Sequence, residues 1–597
     1  MLAPDVRAVL IDQLRPPPGY RLDYAVATTF TLDLAAALVP PLAFAQFRAG
    51  STTDDIAMME AVQSSADRFD IFCQAGKMNV PRRVSDLVAF LEHVVHEVRH
   101  PRPGRLFHPK LWLLRYSGGD DWNDTYRLLC LTRNLTLDRS HDIILRLDGE
   151  RVGRRLAANR PLAELIRTLP NLTVKPLPHQ RESRLEELAG QIRRVEWDRP
   201  DHVNEVLFHV LGLPGFRARP DFSGYRHLVV SPFCTNGGLG YVAPDSPDVT
   251  VVSRSMELDR LSSETVQAVT TYVVNPLARL DEPGTDSEDA SDQPPPTELH
   301  AKLYVAERAR RAHVFIGSAN ATDAAFGGNV EFLVELVGGA TKLGVDTYLG
   351  SKAPFATLLE PYEATGGPPS DPGDEERWKL EQALAAVAEV GYEATVTSDG
   401  IDYAVTVTSE KPLTYPPAFE LRMELLTRPG QSFPQTPETA AKATFTGVPL
   451  ADVTPFVVLR MSSPSGFSAR TVVRAELFGD PAGRLDAIVA RQLDTTEKFL
   501  QFVALLLGLG AAPELSAGVA ERAGTRSTAR LIPGTGLFEL LVRALADRPE
   551  VLADLDRTVR RLRASGDGGR RVLPEGFDEL WQAVLAARDE LEATTGD

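Results

Sequence analysis

The sequence predicts an α/β fold in its first part, followed by a β-rich region and then a helical one. Before residue 366, short apolar stretches typical of strands, such as AVATTF, DIFCQAG and HLVVSPF, alternate with helix-like stretches such as DLAAALV. From residue 390 to 480 the extended apolar stretches predict strands, and the remainder has helical periodicity. At about 100 to 200 residues per domain, 597 residues suggest three or four domains. We expect two similar α/β halves at 1–180 and 181–365, a β-rich accessory domain at 378–482 and a helical accessory domain at 483–597.

Two stretches of turn-forming and charged residues mark predicted breaks in this organisation. Asp281–Glu298 is acidic and rich in proline, which predicts an inserted loop. Gly366–Arg377 is rich in glycine, proline and charged residues, which predicts a linker before the accessory region.

Composition restricts the class of protein. A hydrophobic content of 43% excludes global disorder, and the sequence has no run of about 18 apolar residues that could cross a membrane. The first residues lack a basic start followed by an apolar segment, so we expect a cytoplasmic protein without a membrane partner. The net charge of −17 argues against nonspecific binding to nucleic acid, although it does not describe the field inside one cleft. The three cysteines, widely spaced, predict buried thiols.

A polar motif occurs twice, at 107–147 and at 299–336. Each copy has His-x-Lys before an apolar strand, then a second strand that ends in Thr/Ser-x-Asn, then a carboxylate that leads into a third apolar strand. Five matched positions within matching strand patterns are hard to attribute to chance. The corresponding residues are His108, Lys110, Thr132, Asn134 and Asp142 in the first copy, and His300, Lys302, Ser318, Asn320 and Glu331 in the second.

These residue types in this arrangement predict phosphoryl transfer. Residues two apart in an extended segment project to the same face, so each histidine and its lysine are expected to point toward one site. Lys110 and Lys302 would supply cationic donors, and the amide and hydroxyl groups would bind phosphate oxygens as substrate ligands. One imidazole can attack phosphorus while the other protonates the leaving oxygen. Asp142 and Glu331 are the candidates to orient the imidazoles.

The duplicated motif resembles that of the phospholipase D superfamily over about residues 20 to 340. Within it, HPKLWLLRY with TRN, and HAKLYV with GSANATDAAFG, are most similar to tyrosyl-DNA phosphodiesterases and related nucleases, in which Asn completes the motif. The commoner superfamily pattern has Asp five residues after the lysine, whereas this chain has Arg115 and Glu307 there. That departure disfavours a lipid-hydrolysing enzyme more than a nuclease.

The resemblance implies roles for the matched residues. His108 would be the nucleophile that forms a phosphohistidine intermediate, and His300 the general acid that later activates water. Each histidine would pair with the carboxylate of the opposite copy, His108 with Glu331 and His300 with Asp142. The chemistry of the superfamily requires neither a metal nor another cofactor.

We therefore expect a metal-independent phosphodiesterase, a nuclease or DNA-end-processing enzyme, with nucleic acid, and DNA in particular, as its partner. One alternative is a lipid phosphodiesterase of the same superfamily. Another is a non-catalytic scaffold subunit whose C-terminal half docks a partner such as a motor ATPase in a bacterial phage-defence complex. The large accessory half suggests that antiviral setting for the enzyme as well.

Two further groups of residues have alternative interpretations. His93, His96 and His100 lie at helical spacing in LEHVVHEVRH and could bind a metal, but we expect a helix face without that function. Arginines just upstream of His108, at positions 99, 102 and 105, could contact phosphate at the mouth of the cleft or could be ordinary loop charge.

Overall fold

The computed structural model describes most of the chain. The described residues are 10–44, 61–118, 123–137, 140–216, 219–275, 298–367, 372–493, 495–496, 498–500, 502–503, 541–542, 545, 549–564, 572–574 and 576–595. The predicted inserted loop, apart from Glu298, lies outside these residues.

The first α/β half is built on a seven-stranded mixed sheet with the order β10-β9-β7-β6-β1-β3-β5. Its central strands are buried on both faces, which explains their continuous apolar sequences. The strands are β1 Arg21–Thr29, β2 Leu32–Asp33, β3 Phe69–Gln74, β4 Met78–Asn79, β5 Val95–Val98, β6 Leu111–Ser117, β7 Thr125–Leu131, β8 Ser140–His141, β9 Ile144–Arg151 and β10 Val195–Trp197.

The second half is built on an eight-stranded sheet with the order β11-β18-β17-β16-β12-β13-β14-β19. The short strand β15 pairs with β8 of the first half in a separate two-stranded sheet. The strands are β11 Val203–Leu211, β12 Arg226–Val230, β13 Val249–Val252, β14 Thr270–Val274, β15 Glu298–Leu299, β16 Leu303–Arg308, β17 Arg311–Gly317, β18 Glu331–Gly339 and β19 Leu359–Pro361.

The two large sheets have the same arrangement over seven strands. In each, three parallel strands (β1, β3 and β5, or β12, β13 and β14) continue into an antiparallel series (β6, β7 and β9, or β16, β17 and β18). Strands β10 and β11 close the two series. The sheets share one apolar core, in which the Cys130 thiol of β7 donates to the Ile316 carbonyl of β17 over 3.5 Å. The predicted α/β class is therefore confirmed.

The accessory region contributes two further antiparallel-rich sheets, as its alternating sequence predicts. A four-stranded sheet has the order β24-β21-β20-β27, and a six-stranded sheet the order β2-β4-β26-β25-β22-β23. The second sheet joins the first half to the accessory region, because β4 pairs with β26 at Met78 and Val472. The strands are β20 Tyr392–Asp399, β21 Asp402–Pro412, β22 Glu420–Leu425, β23 Ser432–Gln435, β24 Ala440–Val448, β25 Phe456–Ser462, β26 Ser468–Arg474 and β27 Glu476–Phe478.

Helices cover the sheets and fill the described part of the C-terminal region. Buried side chains of the last helix, Phe577 and Trp581, join a core with residues of the first half such as Trp112. No helix among the described residues is long and apolar enough to cross a membrane. The helices are α1 Leu10–Gln13, α2 Leu34–Ala37, α3 Pro40–Phe44, α4 Arg160–Leu172, α5 His179–Ile192, α6 Asn236–Val242, α7 Ser255–Asp259, α8 Ser263–Ala268, α9 Asp323–Gly327, α10 Ala340–Leu343, α11 Asp346–Leu349, α12 Pro372–Ala388, α13 Arg484–Gln492, α14 Pro549–Ala564 and α15 Phe577–Thr595.

One local prediction is wrong. The stretch with His93, His96 and His100 was expected to be helical, but its centre is strand β5, which pairs in parallel with β3. The sheet position outweighs the helical spacing because Val95–Val98 is buried on both sides. Within Gly366–Arg377, helix α12 begins at Pro372, since proline is well tolerated in the first turn of a helix, and the role of this stretch as a linker stays a prediction.

Candidate active site

The ten residues of the duplicated motif lie at corresponding places in the two sheets. Each His-x-Lys segment leads directly into a strand, β6 or β16. Each Thr/Ser-x-Asn segment follows the next strand, β7 or β17, and each carboxylate lies at or just before the start of the third, β9 or β18. The antiparallel pairing of the first two strands thus places Thr132 and Ser318 beside the lysine ends of β6 and β16.

Backbone hydrogen bonds join the histidine segment of each half to the other half. The His108 amide donates to the Val330 carbonyl over 2.9 Å, and the His300 amide donates to the His141 carbonyl over 2.8 Å. Val330 and His141 each precede the carboxylate of their half by one residue. The backbone at the histidine of each half is therefore bonded to the residue before the carboxylate of the other half, an arrangement that the implied cross-pairing requires.

His108 contacts Glu331 directly. Its Nδ1 lies 2.9 Å from Glu331 Oε2, and Ser318 Oγ donates to the same oxygen. Burial raises the pKa of Glu331, but His108, Lys110 and the Ser318 hydroxyl outweigh burial and hold it below its ordinary value. Burial lowers the pKa of His108 to about 4, although Glu331 opposes this shift. The imidazole is thus neutral near pH 7, and because a carboxylate accepts the Nδ1 proton, Nε2 keeps its lone pair.

Both lysines of the motif are buried, at 2% exposure each. Lys302 Nζ donates to the Thr132 carbonyl of the other half over 3.1 Å and to the His300 carbonyl over 3.0 Å, and Lys110 Nζ donates to the His108 carbonyl over 3.1 Å. Burial lowers the pKa of Lys302 to about 7, and burial together with Lys302 lowers the pKa of Lys110 well below its ordinary value. The positive charge of Lys302 thus disfavours the charged form of Lys110, and a bound anion would relieve this repulsion.

The hydroxyls of Thr132 and Ser318 contact protein groups. Each accepts the backbone N–H of the residue that follows the carboxylate, from Ile143 over 2.8 Å and from Phe332 over 3.0 Å. Both side chains are fully buried. These contacts fix the start of the carboxylate strand, and substrate binding by the two hydroxyls stays a prediction.

The motif asparagines offer polar atoms to the same region. The Oδ1 atoms of Asn134 and Asn320 are buried without a hydrogen-bond partner among the described residues. Buried polar atoms without a partner are rare, and they are often accounted for by a ligand or water. Rotation of either amide about its Cβ–Cγ bond would present N–H groups to a phosphate oxygen instead.

His300 and Asp142 lie in the matching position of the other half. Strand β15 pairs in parallel with β8, so that Leu299 is opposite His141. Asp142 acts on Lys302, whose pKa it raises against the larger effect of burial. A direct contact between His300 and Asp142 stays a prediction.

Three residues at the site were not predicted from the sequence. Phe30, directly after β1, lies edge-on to the His108 ring with the centroids 5.0 Å apart. Arg254, just after β13, lies over the Phe233 ring at 4.6 Å and donates to the Leu299 carbonyl over 3.2 Å. Phe30, Phe233 and Arg254 all lie in loops just after the C-terminal ends of parallel strands. Ligands of open α/β sheets bind at this edge, so the position is the signal that could have identified the three residues.

The histidines around His96 and the arginines upstream of His108 are the remaining candidates. His96 is buried against Asp70 at 2.7 Å, and no group of three or more metal-ligating side chains occurs within the described ranges. Arg102 donates to the carbonyls of Gly212 and Gly328, so it lies against the loop between Asn320 and Glu331.

Comparisons with known proteins report a likeness of structure at low identity. No family model matches the chain, and no curated protein matches it. A mutant of yeast tyrosyl-DNA phosphodiesterase matches with a TM-score of 0.32 and 13% identity, over 54% of this chain and 84% of that one. Polyphosphate kinase from Porphyromonas gingivalis has a TM-score of 0.30, 10% identity and coverages of 55% and 44%. Phosphatidylserine synthase from Haemophilus influenzae Rd KW20 matches with a TM-score of 0.31 and 8% identity, over 60% of this chain and 85% of that one. At these scores the likeness assigns no function to this chain.

Proposed function

We propose that the protein is a phosphodiesterase of the phospholipase D type that cleaves nucleic acid, DNA in particular, through a phosphohistidine on His108. The observation that carries the proposal is the contact between His108 Nδ1 and Glu331 Oε2 across the two halves. It leaves the opposite ring nitrogen of a neutral imidazole as a nucleophile, with two buried amines close by.

In the first step the Nε2 lone pair of His108 attacks phosphorus, and the bond between phosphorus and the leaving oxygen breaks. His300, as an imidazolium, gives its proton to that oxygen. The phosphorylated imidazole becomes cationic, and the ionised Glu331 stabilises it through the Nδ1 proton. Lys110, Lys302 and the amides of Asn134 and Asn320 would bind the non-bridging oxygens.

In the second step His300, now neutral, takes a proton from water. The water oxygen attacks phosphorus, the phosphorus–nitrogen bond breaks, and His108 regains its lone pair. Both protonation states of His300 are used, so the cycle returns the enzyme to its starting form. None of these steps uses a metal ion or another cofactor.

Features at the edge of the site favour nucleic acid as the substrate. The Phe30 ring lies next to His108, and the Phe233 ring is 38% exposed, so both lie where a nucleobase could stack. Arg102 lies against the Gly328 loop and would add a cation at the mouth.

A phospholipid is the second candidate substrate. Leu137, three residues after Asn134, is 61% exposed, and Met256, two residues after Arg254, is 67% exposed. Exposed apolar side chains beside the cleft would suit an acyl chain.

An inactive scaffold is the less favoured alternative. Two buried lysines and unpartnered amide oxygens cost stability, and a scaffold would have no use for them. Docking of a motor ATPase through the accessory half, and a role in phage defence, stay predictions that this site does not address.

The test uses the p-nitrophenyl ester of thymidine 5′-monophosphate, whose leaving group needs no proton, beside labelled DNA, RNA and phosphatidylcholine in buffer with EDTA. His108→Asn should abolish cleavage of every substrate. His300→Asn should still release nitrophenolate in a burst and accumulate a peptide, containing His108, that carries a thymidine 5′-phosphoryl group and that mass spectrometry detects.

The exposed His179, at 92% side-chain exposure, gives the matched control His179→Asn, which should cleave normally. Attachment of the thymidine 5′-phosphoryl group at another residue, activity in His108→Asn, or dependence on a divalent ion would overturn the mechanism. Hydrolysis of phosphatidylcholine but not DNA would select the second candidate.

A further inference from the structure

The two halves of the site differ at one position that their common strand order makes equivalent. In each half, the residue after the motif lysine is paired with a residue of the first parallel strand, β1 or β12. That residue is paired in turn with a residue of the second parallel strand, β3 or β13. These paired positions are Leu111, Thr28 and Phe72 in the first half, and Leu303, Val230 and Val252 in the second. Gln74 lies two residues after Phe72, and Arg254 lies two residues after Val252. The equivalent position therefore holds a neutral amide in the first half and a guanidinium in the second.

Hydrogen bonds confirm that these two residues are equivalent. Gln74 Oε1 accepts the Phe107 N–H over 2.8 Å, and Arg254 donates to the Leu299 carbonyl over 3.2 Å. Phe107 and Leu299 each precede the histidine of their half by one residue. Holding that segment needs no positive charge, since the amide does so in the first half. The guanidinium of Arg254 therefore brings to this position a charge that the first half lacks.

Arg254 is partly exposed and contacts the segment that leads to His300. It lowers the pKa of Lys302, in addition to the larger effect of burial, so its charge is close to the proposed phosphate. Arg254 as a whole residue is partly buried, and its guanidinium lies over the face of Phe233, whereas Gln74 is 1% exposed. A ring beneath a guanidinium fixes its plane, and a planar guanidinium suits bidentate binding of phosphate.

We infer that Arg254, oriented by Phe233, binds a second phosphate of the substrate, on the nucleotide that leaves. The inference rests on the proposed function, because His300 protonates the leaving oxygen there. Arg254 contacts the residue next to His300, so the leaving nucleotide and its next phosphate would lie on this side. The site would thus prefer a chain interior, or a phosphorylated end, to a phosphodiester whose leaving group carries no further phosphate.

Three thymidine dinucleotides test this: TpT, with one phosphate, and the same molecule with an added phosphate at its 5′ or its 3′ end. In the wild type, one of the added phosphates should raise kcat/KM about tenfold to a hundredfold, as expected for charge-assisted hydrogen bonds. Which of the two does so would report the polarity of cleavage. Arg254→Gln, which installs the residue of the other half, should abolish most of that enhancement, and Arg254→Lys should keep part of it.

Arg260→Gln provides the matched control, because Arg260 is an exposed arginine just after α7 that pairs with Glu257, and the enhancement should survive there. An equal loss of kcat/KM for all three dinucleotides in Arg254→Gln would mean that Arg254 only positions the scissile group, and the inference would be wrong. It would also be wrong if neither added phosphate accelerated the wild type. If the wild type cleaved neither the three dinucleotides nor the nitrophenyl ester, the proposed function would be wrong, and the second phosphate site with it.

Discussion

His108 and Glu331 lie 223 residues apart in the chain, yet the His108 Nδ1 and the Glu331 Oε2 are 2.9 Å apart. Each half of the α/β part supplies one member of the pair, and the backbone bond from His108 to Val330 sets its distance. The reactive geometry therefore depends on how the two sheets pack, and a change in that packing would act on the imidazole directly.

Glu331→Gln tests the contribution of this contact. The amide keeps the shape of the side chain but removes the charge that stabilises a cationic His108, so kcat should fall by about 10²-fold to 10⁴-fold, with a smaller change in KM. Steady-state kinetics with the nitrophenyl substrate measures this effect.

Glu335→Gln is the matched control for that experiment. Glu335 lies on the same strand and contacts two histidines, His209 at 2.7 Å and His313 at 2.6 Å, so it is another carboxylate in contact with imidazoles. We expect lower stability in this variant but an unchanged kcat. Equal losses of kcat in both variants would show that the strand, and not the His108 contact, is responsible.

The candidate site rests on a pattern that repeats in the sequence, whereas its surroundings do not. The duplicated pattern selected ten residues, and the structure brings five of them, His108, Lys110, Lys302, Ser318 and Glu331, together. The reason is physical, since extended segments impose a two-residue repeat that is visible in the sequence. The cross-pairing came from the resemblance, because spacing does not show which carboxylate a histidine will meet.

Residues without a repeating pattern could not be predicted. Arg254 and Phe30 stand on loops whose course depends on the packing of the sheets. His96 shows the opposite error, because its helical spacing to its neighbours was accidental and a parallel strand pairing decided its structure. The pairing of β4 with β26 joins regions that the sequence separates by almost 400 residues, and nothing local predicts it.

Anion binding should be accompanied by proton uptake. With a pKa of about 7, Lys302 is about half charged at neutral pH, and an anion beside it raises that pKa. Tungstate, a dianion across this range, should take up on the order of one proton and bind more weakly as the pH rises above about 7. Titration calorimetry at pH 7.5 in buffers of different ionisation enthalpy counts the protons.

Lys302→Met should reduce that uptake, whereas Lys352→Met, which alters an exposed lysine, should not. Binding with no proton exchange in the wild type would indicate that Lys302 is already fully charged. The proposed recharging of the site would then be wrong.

The helical region is attached to the first half by a buried ion pair. Arg484 donates to both oxygens of Glu92, over 2.8 and 2.6 Å, and its side chain is 1% exposed. Arg484→Leu leaves Glu92 buried without its partner and should cost about 3–5 kcal/mol. Glu92→Leu combined with Arg484→Leu should recover most of this loss, as measured by thermal unfolding midpoints. A double variant no more stable than Arg484→Leu would contradict this account.

Glu97 should make the junction between β5 and β26 sensitive to pH. It accepts the Arg474 backbone N–H over 2.7 Å beside a small cavity, and burial raises its pKa from 4.5 to about 7. The folded protein therefore binds this proton more tightly than the unfolded chain does, so the stabilisation is fully present below about pH 4.5. It is lost as the pH rises through about 7, and the linked free energy is on the order of 3 kcal/mol.

Glu97→Gln should raise the thermal midpoint above pH 7 and flatten its decline between pH 5 and 8, whereas Glu196→Gln, which alters an exposed carboxylate, should change neither. The same decline in Glu97→Gln as in the wild type would place the titrating group elsewhere.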